Sequence, residues 1–217
     1  MPRLSYLVVI LGLLAAFRAP AATFVVNSSN DVDDGACTTN HCSLREAIRA
    51  SNSLFGADTI LFNISPGGVQ VITPLSALPP LTDAVNLDAT SQPGYSGMPI
   101  IGLRGGAAGA ANGLQVQAGS CTVKGLAIFS FALDGMVITG AGSSTIAGNF
   151  LGTDTGGAGM GNAGNGLQIS NSPGNRIEDN ILSDNGASGV LLTGGGAVGN
   201  AVVGNKIGTT ASGGPLG

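Results

Sequence analysis

Internal repetition constrains this chain more than any other feature of its sequence. A glycine followed by an alternating apolar pair recurs at Gly113, Gly135, Gly166 and Gly189, in steps of 22, 31 and 23 along the chain. A second apolar pattern follows each copy, and its central position falls at Leu126, Asn149, Asn180 and Asn205, with steps of 23, 31 and 25. Two patterns in the same order with matching steps indicate repeated structural units.

The pattern predicts that each repeat contains two or three short strands joined by tight turns. Short apolar runs alternate with glycine and polar turn residues, and the chain holds 37 glycines. This spacing predicts an all-β fold, a parallel β-helix (solenoid) whose coils stack at about 4.8 Å. The longest step between repeats holds an insertion, residues 155–164, which we expect to project as a loop.

Three of the repeats carry asparagine at the equivalent position. In a stacked coil these side chains lie above one another, so their amides bond from coil to coil. The sequence therefore predicts an asparagine ladder of Asn149, Asn180 and Asn205. Leu126 occupies this position in the preceding repeat, so the ladder begins one coil later.

The charge content excludes two broad classes of protein. Only 9% of the residues are charged, and eight Lys and Arg face twelve Asp and Glu. No basic cluster is present to neutralise phosphates, which argues against nucleic-acid binding. Hydrophobic residues make up 43% of the chain, which is too many for an intrinsically disordered protein.

The beginning of the chain, residues 1–21, has the layout of a signal peptide. Arg3 supplies a positive start, residues 4–17 are apolar apart from Ser5, and Ala19 and Ala21 are the small residues of a cleavage site. An uncleaved N-terminal anchor is the alternative. No later apolar stretch approaches the length needed to span a bilayer. We therefore expect an exported protein, extracellular or at the cell surface.

Export sets the interpretation of the cysteines. Cys37 and Cys42 lie five positions apart, and an oxidising compartment favours a local disulfide between them. A metal site using Cys37, His41 and Cys42 is the alternative, although a closed zinc site needs a fourth ligand. Cys121 is then unpaired, as a small buried residue.

An acidic loop and one helix lie on either side of these cysteines. Asp31, Asp33 and Asp34 are weak calcium ligand candidates, since their spacing does not match an EF-hand and such turns are commonly just solvated. Ser43 and Glu46 form a capping box that starts a helix over about residues 43–52. Leu44, Ala47 and Ile48 give this helix one apolar stripe, which suits an N-terminal lid on the solenoid.

A set of charged residues in the repeats raises the question of catalysis. Glycoside hydrolysis needs two facing carboxylates, and the candidates are Asp154, Glu178, Asp179 and Asp184, with Arg176 and Lys206 nearby. Their positions relative to the ladder asparagines are not equivalent, so we interpret them as solvated turn residues.

The segment from Cys37 to Ile48, CTTNHCSLREAI, resembles the signature of the CSLREA domain family. The flanking segments FVVNSSNDVDDGAC and DTILFNI are similar to the same family, and the match covers residues 23–103. The later repeats resemble right-handed parallel β-helices of the pectin-lyase type. The resemblance implies an exported bacterial protein and carries no assigned catalytic residues.

These observations divide the chain and rank its functions. Residues 22–103 form the N-terminal cap and first coils, and residues 104–217 form the later coils of what we read as a truncated repeat protein. We expect a non-catalytic surface module that binds a polysaccharide or a surface protein. A polysaccharide lyase or glycosidase and a structural spacer are the alternatives, and an open solenoid end could associate with a second copy.

Overall fold

The chain folds into a right-handed parallel β-helix with one short helix at its N-terminal end, the fold class that the sequence predicts. The structure is a computed structural model, and it describes residues 20–210 and 212–214. The predicted signal peptide lies outside the described residues except for its last two positions. No helix in the described ranges is both long and apolar enough to cross a membrane.

Seventeen strands and one α-helix make up the described part of the fold. The helix, α1, spans Leu44–Asn52. The strands are β1 Thr23–Val26, β2 Asp58–Phe62, β3 Gln70–Ile72, β4 Val85–Asp88, β5 Ile101–Arg104, β6 Leu114–Val116, β7 Thr122–Lys124, β8 Leu126–Phe129, β9 Met136–Thr139, β10 Thr145–Ala147, β11 Phe150–Leu151, β12 Leu167–Ser170, β13 Arg176–Glu178, β14 Ile181–Leu182, β15 Val190–Thr193, β16 Ala201–Val203 and β17 Lys206–Ile207.

These strands form three parallel sheets that wrap around one core. The first sheet has seven strands in the order β1-β2-β4-β7-β10-β13-β16, the second has six, β3-β5-β8-β11-β14-β17, and the third has four, β6-β9-β12-β15. From β4 onward each full coil contributes one strand to each sheet, so a coil is a three-sided turn of the solenoid.

The core consists of aliphatic side chains stacked at equivalent positions. In the first sheet, Ile60, Leu87, Val123, Ile146 and Ile177 are paired in register from strand to strand. All five are fully buried. Burying each such side chain contributes roughly 1.5–3 kcal/mol, so the repeated apolar position is what drives coil to stack on coil.

The corner before each ladder position takes the left-handed backbone conformation. Gly125, Gly148 and Gly204 have φ of 76, 61 and 68° there, and Asp179 occupies the same corner with φ of 55°. Glycine and aspartate tolerate this conformation better than most residues. Asp179 is therefore a corner residue of its coil.

Asparagine ladders brace the corners, and the predicted one is the first of three in the described coils. Asn149 donates from Nδ2 to Asn180 Oδ1 at 3.0 Å, and Asn180 donates to Asn205 Oδ1 at 2.9 Å. Leu126 N donates to Asn149 Oδ1 at 3.0 Å, which places the leucine directly above the ladder. The same pattern links Asn175 to Asn200 and Asn162 to Asn185.

The helix covers the N-terminal end of the core. Ser43 accepts a hydrogen bond from Glu46 N, and Glu46 accepts one from Ser43 N, so both halves of the capping box are present. Leu44, Ala47 and Ile48 are buried against β1 and β2. The helix therefore lies where the sequence predicts a lid.

Candidate functional site

The second sheet carries a separate apolar cluster on its outer face. Ala127, Phe129, Phe150 and Ile181 form this outer cluster, which does not join the main core. Strand β8 has the sequence LAIF, apolar on both faces, and all four of its residues are buried. A strand with one solvated face alternates apolar and polar residues, so the unbroken run fits a sheet whose outer face is covered, here by residues such as Val71 and Thr155.

Two clefts open beside the outer cluster. The Phe129 cleft has a volume of about 420 Å³ and is lined by Val71, Thr73, Arg104, Phe129, Asp154, Thr155 and Met160. The Phe150 cleft has a volume of about 380 Å³ and is lined by Gly97, Met98, Gly148, Phe150, Asp179, Asn180, Ile181, Gly204 and Lys206. Each combines a phenylalanine, a methionine, one basic group and one carboxylate.

The insertion in the longest repeat builds one wall of the Phe129 cleft. Thr153 pairs with Gly159 in an antiparallel bridge, and Asp154 Oδ1 accepts hydrogen bonds from Gly156 N and Ala158 N, both at 2.9 Å. The expectation of a projecting loop over residues 155–164 was wrong in its extent. Asn162 is 1% exposed and belongs to a corner ladder, so only the turn around residues 154–160 departs from the coil.

The chemistry of the two clefts suits a ligand with both apolar and hydroxyl surface. Phe129 and Phe150 are buried, and the exposed Met98 and Met160 side chains offer dispersion contact to C–H groups. Arg104 and Asp154 on one rim, with Lys206 and Asp179 on the other, offer charged hydrogen-bond donors and acceptors. Opposite charges on each rim favour a polar ligand without a strong requirement for either sign.

The candidate catalytic carboxylates are not brought together. Asp154 lines the Phe129 cleft, Asp179 lines the Phe150 cleft, and Asp184 lines a third cleft beside Asn185. Glu178 lies on the outer face of the first sheet and accepts a hydrogen bond from Arg176 Nε at 2.6 Å. Asp184 Oδ2 accepts one from Gly161 N at 3.0 Å. The Asp184 bond holds the turn at Gly161, whereas the Glu178 bond lies within its own strand, β13.

A second polar cluster lies in the N-terminal cap. Arg45 donates to Asp31 from Nε at 3.0 Å and from Nη2 at 2.7 Å, and it also donates to the carbonyl oxygens of Ser76 and Ala77. Arg45 is 7% exposed. The spacing of apolar residues in the helix predicts only that Arg45 lies off the apolar stripe. No local sequence pattern predicts that the acidic loop and residues 76–77 cover it.

The three aspartates proposed for calcium turn towards different partners. Asp31 pairs with Arg45, Asp33 pairs with Arg49, and Asp34 lies beside His41. The structure brings Asp34 together with His41 and Glu46 instead, with one ligand atom from each within 4.8 Å of the others. Only one of the three calcium candidates therefore belongs to the group that could hold a metal ion.

His41 is held so that Nδ1 faces two carboxylates. Nε2 lies 3.0 Å from Asn30 Oδ1, which makes Nε2 the protonated nitrogen because a carboxamide oxygen only accepts. Nδ1 then lies 3.1 Å from Glu46 Oε2 and 3.3 Å from Asp34 Oδ2. A proton on Nδ1 or a metal ion would balance these two oxygens.

Glu46 has further partners that keep it ionised. Burial raises the pKa of the Glu46 carboxyl, but hydrogen bonds from Ser43 and Asp34 outweigh that effect and hold the pKa below its ordinary value. Oε2 accepts from Ser43 N at 2.8 Å and Oε1 accepts from Asp34 N at 2.7 Å. The same carboxylate thus caps α1 and anchors the acidic loop.

Cys37 and Cys42 are joined by a disulfide, with an S–S distance of 2.00 Å. The metal alternative used these two sulfurs, and the bond between them leaves neither as a thiolate. Cys121 is free and buried, and burial raises the pKa of its thiol. Its sulfur therefore stays protonated and contributes packing.

No protein-family model matches this chain, and a search of curated proteins finds no match either.

Proposed function

We propose that this chain is an exported, non-catalytic β-helix module that binds an extended extracellular polysaccharide along the outer face of its second sheet. The observation that carries the proposal is the pair of clefts beside the outer cluster. They repeat one combination of phenylalanine, methionine, basic group and carboxylate on a single face. A ligand built from similar units fits two similar subsites.

A polysaccharide matches this chemistry because each sugar presents C–H surface together with hydroxyl groups. The C–H surface packs against side chains such as Met160 and Met98, and the hydroxyls bond to Arg104, Asp154 and Asp179. The stacked coils hold both subsites on parallel strands at fixed spacing. Preorganisation of this kind lowers the entropy lost on binding.

Export rests on the sequence of residues 1–21 and is supported by the cysteine pair. A disulfide between Cys37 and Cys42 persists in an oxidising compartment and is rare where thiols are kept reduced. We further propose that residues 23–103 belong to the CSLREA domain family, on the residues that carry the resemblance. The acidic loop, disulfide and capped helix would then be features of that domain.

Retention on a panel of immobilised polysaccharides tests the binding proposal. We expect the wild-type chain to be retained by at least one glycan, and Arg104→Ala to weaken retention about 10-fold, the effect of losing roughly 1.4 kcal/mol. Arg176→Ala is the matched control, because Arg176 is also an exposed strand arginine but lies on the first sheet. It should leave retention unchanged.

The same panel separates the alternative functions. Each fraction is also scored for new reducing or unsaturated sugar ends. Release of such ends would replace the proposal with a lyase or glycosidase. Absence of retention on every glycan, with the chain folded, would leave a structural spacer or a protein-binding surface. Equal loss in both arginine variants would show that charge, and not the second sheet, causes retention.

A further inference from the structure

Asp58 is a buried carboxylate, and only one of its two oxygens accepts a hydrogen bond. It is 1% exposed and begins β2. Its Oδ1 accepts a hydrogen bond from Ala22 N at 2.7 Å, while its Oδ2 is buried without a partner. Within residues 20–210 and 212–214, no ion pair joins Asp58 to Lys, Arg or His.

An ionised carboxylate in this position is costly unless a cation or further hydrogen bonds compensate for the lost water. The group that faces it is the nitrogen of Ala22. The position of Ala22 is also fixed by its carbonyl oxygen, which accepts a hydrogen bond from Thr59 N at 2.8 Å. As a peptide nitrogen, Ala22 N has one hydrogen and no charge to offer.

Ala22 is also the first residue after the predicted cleavage site. Ala19 and Ala21 supply the small residues that a signal peptidase recognises, and Ala21 is exposed in the structure. Hydrolysis breaks the bond between the Ala21 carbonyl carbon and the Ala22 nitrogen. Water supplies a hydroxyl to the carbonyl carbon and a hydrogen to the nitrogen, and the new amine takes up a proton at neutral pH.

We propose that cleavage after Ala21 places an α-ammonium group on the buried Asp58 carboxylate and so completes the N-terminal edge of the first sheet. The ammonium has three hydrogens, which reach both the bonded Oδ1 and the unpartnered Oδ2, and its charge balances the carboxylate. Processing is thus a step in folding as well as in export. This inference rests on the proposed export and adds to it the residue that senses the cleavage.

The experiment compares two forms of the chain from Ala22 to Gly217, which contains every described strand and α1. One form has a free Ala22 amine, and the other is acetylated there, which restores an uncharged amide N–H. We expect acetylation to lower the midpoint of thermal unfolding by about 6–20 °C, the effect of breaking a buried ion pair in a chain of this size.

The free-amine and acetylated forms are also made with the Asp58→Asn substitution, which completes a double-mutant cycle. Acetylation should produce little or no shift in the Asp58→Asn background. Asp184→Asn is the matched control, because Asp184 also accepts a backbone N–H but from an internal residue. It should leave the effect of acetylation intact. An equal shift from acetylation with and without Asp58 would overturn the pairing.

A chain that begins at Ala21 keeps the inference testable if Asp58→Asn does not fold. It moves the ammonium by one residue without altering Asp58, and it should be destabilised to the same extent as the acetylated form. Equal stability of the Ala21 and Ala22 chains would overturn the proposal.

The mass of the protein exported by a bacterial host tests the processing step itself. An N-terminus at Ala22 supports it, and any other N-terminus overturns it. The cycle with purified chains reports on the ion pair whether or not the host exports the protein. The glycan panel is likewise independent, so failure of the binding proposal is distinguishable from failure of this one.

Discussion

The two ends of the described solenoid are stabilised by different chemistry. In the N-terminal cap, the most enclosed ion pair is that of Arg45 and Asp31, whose side chains are 9% and 4% exposed. In the later coils, the corresponding ties are neutral amides, as at Asn149 and Asn180, both 0% exposed.

The difference follows from whether the local geometry repeats. In a stack of similar coils, an amide offers a donor to one neighbour and an acceptor to the other, so one residue type satisfies every layer. The cap occurs once, and it must fix a loop, a helix start and a chain reversal together. The five donors of an arginine can hold several segments at once, as Arg45 does for Asp31, Ser76 and Ala77.

Removing the middle amide of the ladder is the strongest way to break this arrangement. Asn180→Ala removes the acceptor of Asn149 N, one of the two acceptors of Asn149 Nδ2 and the side-chain donor to Ile146 O. At roughly 1–3 kcal/mol for each buried unsatisfied group, with partial relaxation, we expect a loss of about 3–6 kcal/mol. Urea unfolding followed by circular dichroism measures it.

Asn205→Ala is the matched control for the ladder, because Asn205 makes the same contacts but is only partly buried. We expect a loss of about 1 kcal/mol there. Similar losses at the two positions would show that burial of the ladder does not determine its contribution.

Breaking the charged tie of the cap should destabilise a different region. Arg45→Met leaves the Asp31 carboxylate buried without its cation, and we expect a loss of about 3–5 kcal/mol. Because coils in a solenoid contact only their neighbours, hydrogen exchange should accelerate in β1, α1 and β2 and remain unchanged in β12 and β13. Uniform acceleration along the chain would contradict this separation of the two regions.

The repeats and the cap also differ in how far the sequence predicts them. The step between repeats gives the coils, the core positions and one ladder, because each depends on a pattern that recurs. Asn162 and Asn185 are one repeat apart, with the same separation as Gly166 and Gly189, but assigning Asn162 to the insertion hid the match. A search for asparagines one repeat apart would have found all three ladders.

The contacts of the cap depend on chain reversal and have no periodic signal. The capping box was visible because Ser43 and Glu46 are three residues apart, whereas Arg45 meets Asp31 through the path of a loop. The two clefts were missed for the same reason. Phe129 and Phe150 come from adjacent coils, and Met98 and Met160 reach the same face from turns far apart in sequence.

The disulfide of the cap should contribute less than its buried ion pair. Cys37 and Cys42 close a loop with a sequence separation of only 5. Constraining so short a loop in the unfolded chain is worth about 2 kcal/mol. We expect the Cys37→Ser, Cys42→Ser double variant to lose that amount in urea unfolding. Adding a reductant to the wild-type chain should give the same loss, and no change in either case would contradict the assignment.

The smallest expected effect comes from the Glu46 carboxylate, and it is separable by pH. Because hydrogen bonds hold the Glu46 pKa below the ordinary 4.5 in the folded state, ionisation there favours folding. That contribution is fully present above about pH 4.5 and is lost as pH falls through the lowered folded-state pKa. Glu46→Gln keeps a side chain that still caps a helix, so we expect it to be less stable than wild type by about 1 kcal/mol at pH 7. His41 and Asp34 also lie beside this carboxylate. The difference in free energy of unfolding between the two proteins should still shrink as the pH is lowered below 4.5.

A difference that stays constant from pH 7 to pH 3 would show that the cap depends on the shape of this side chain and not on its charge.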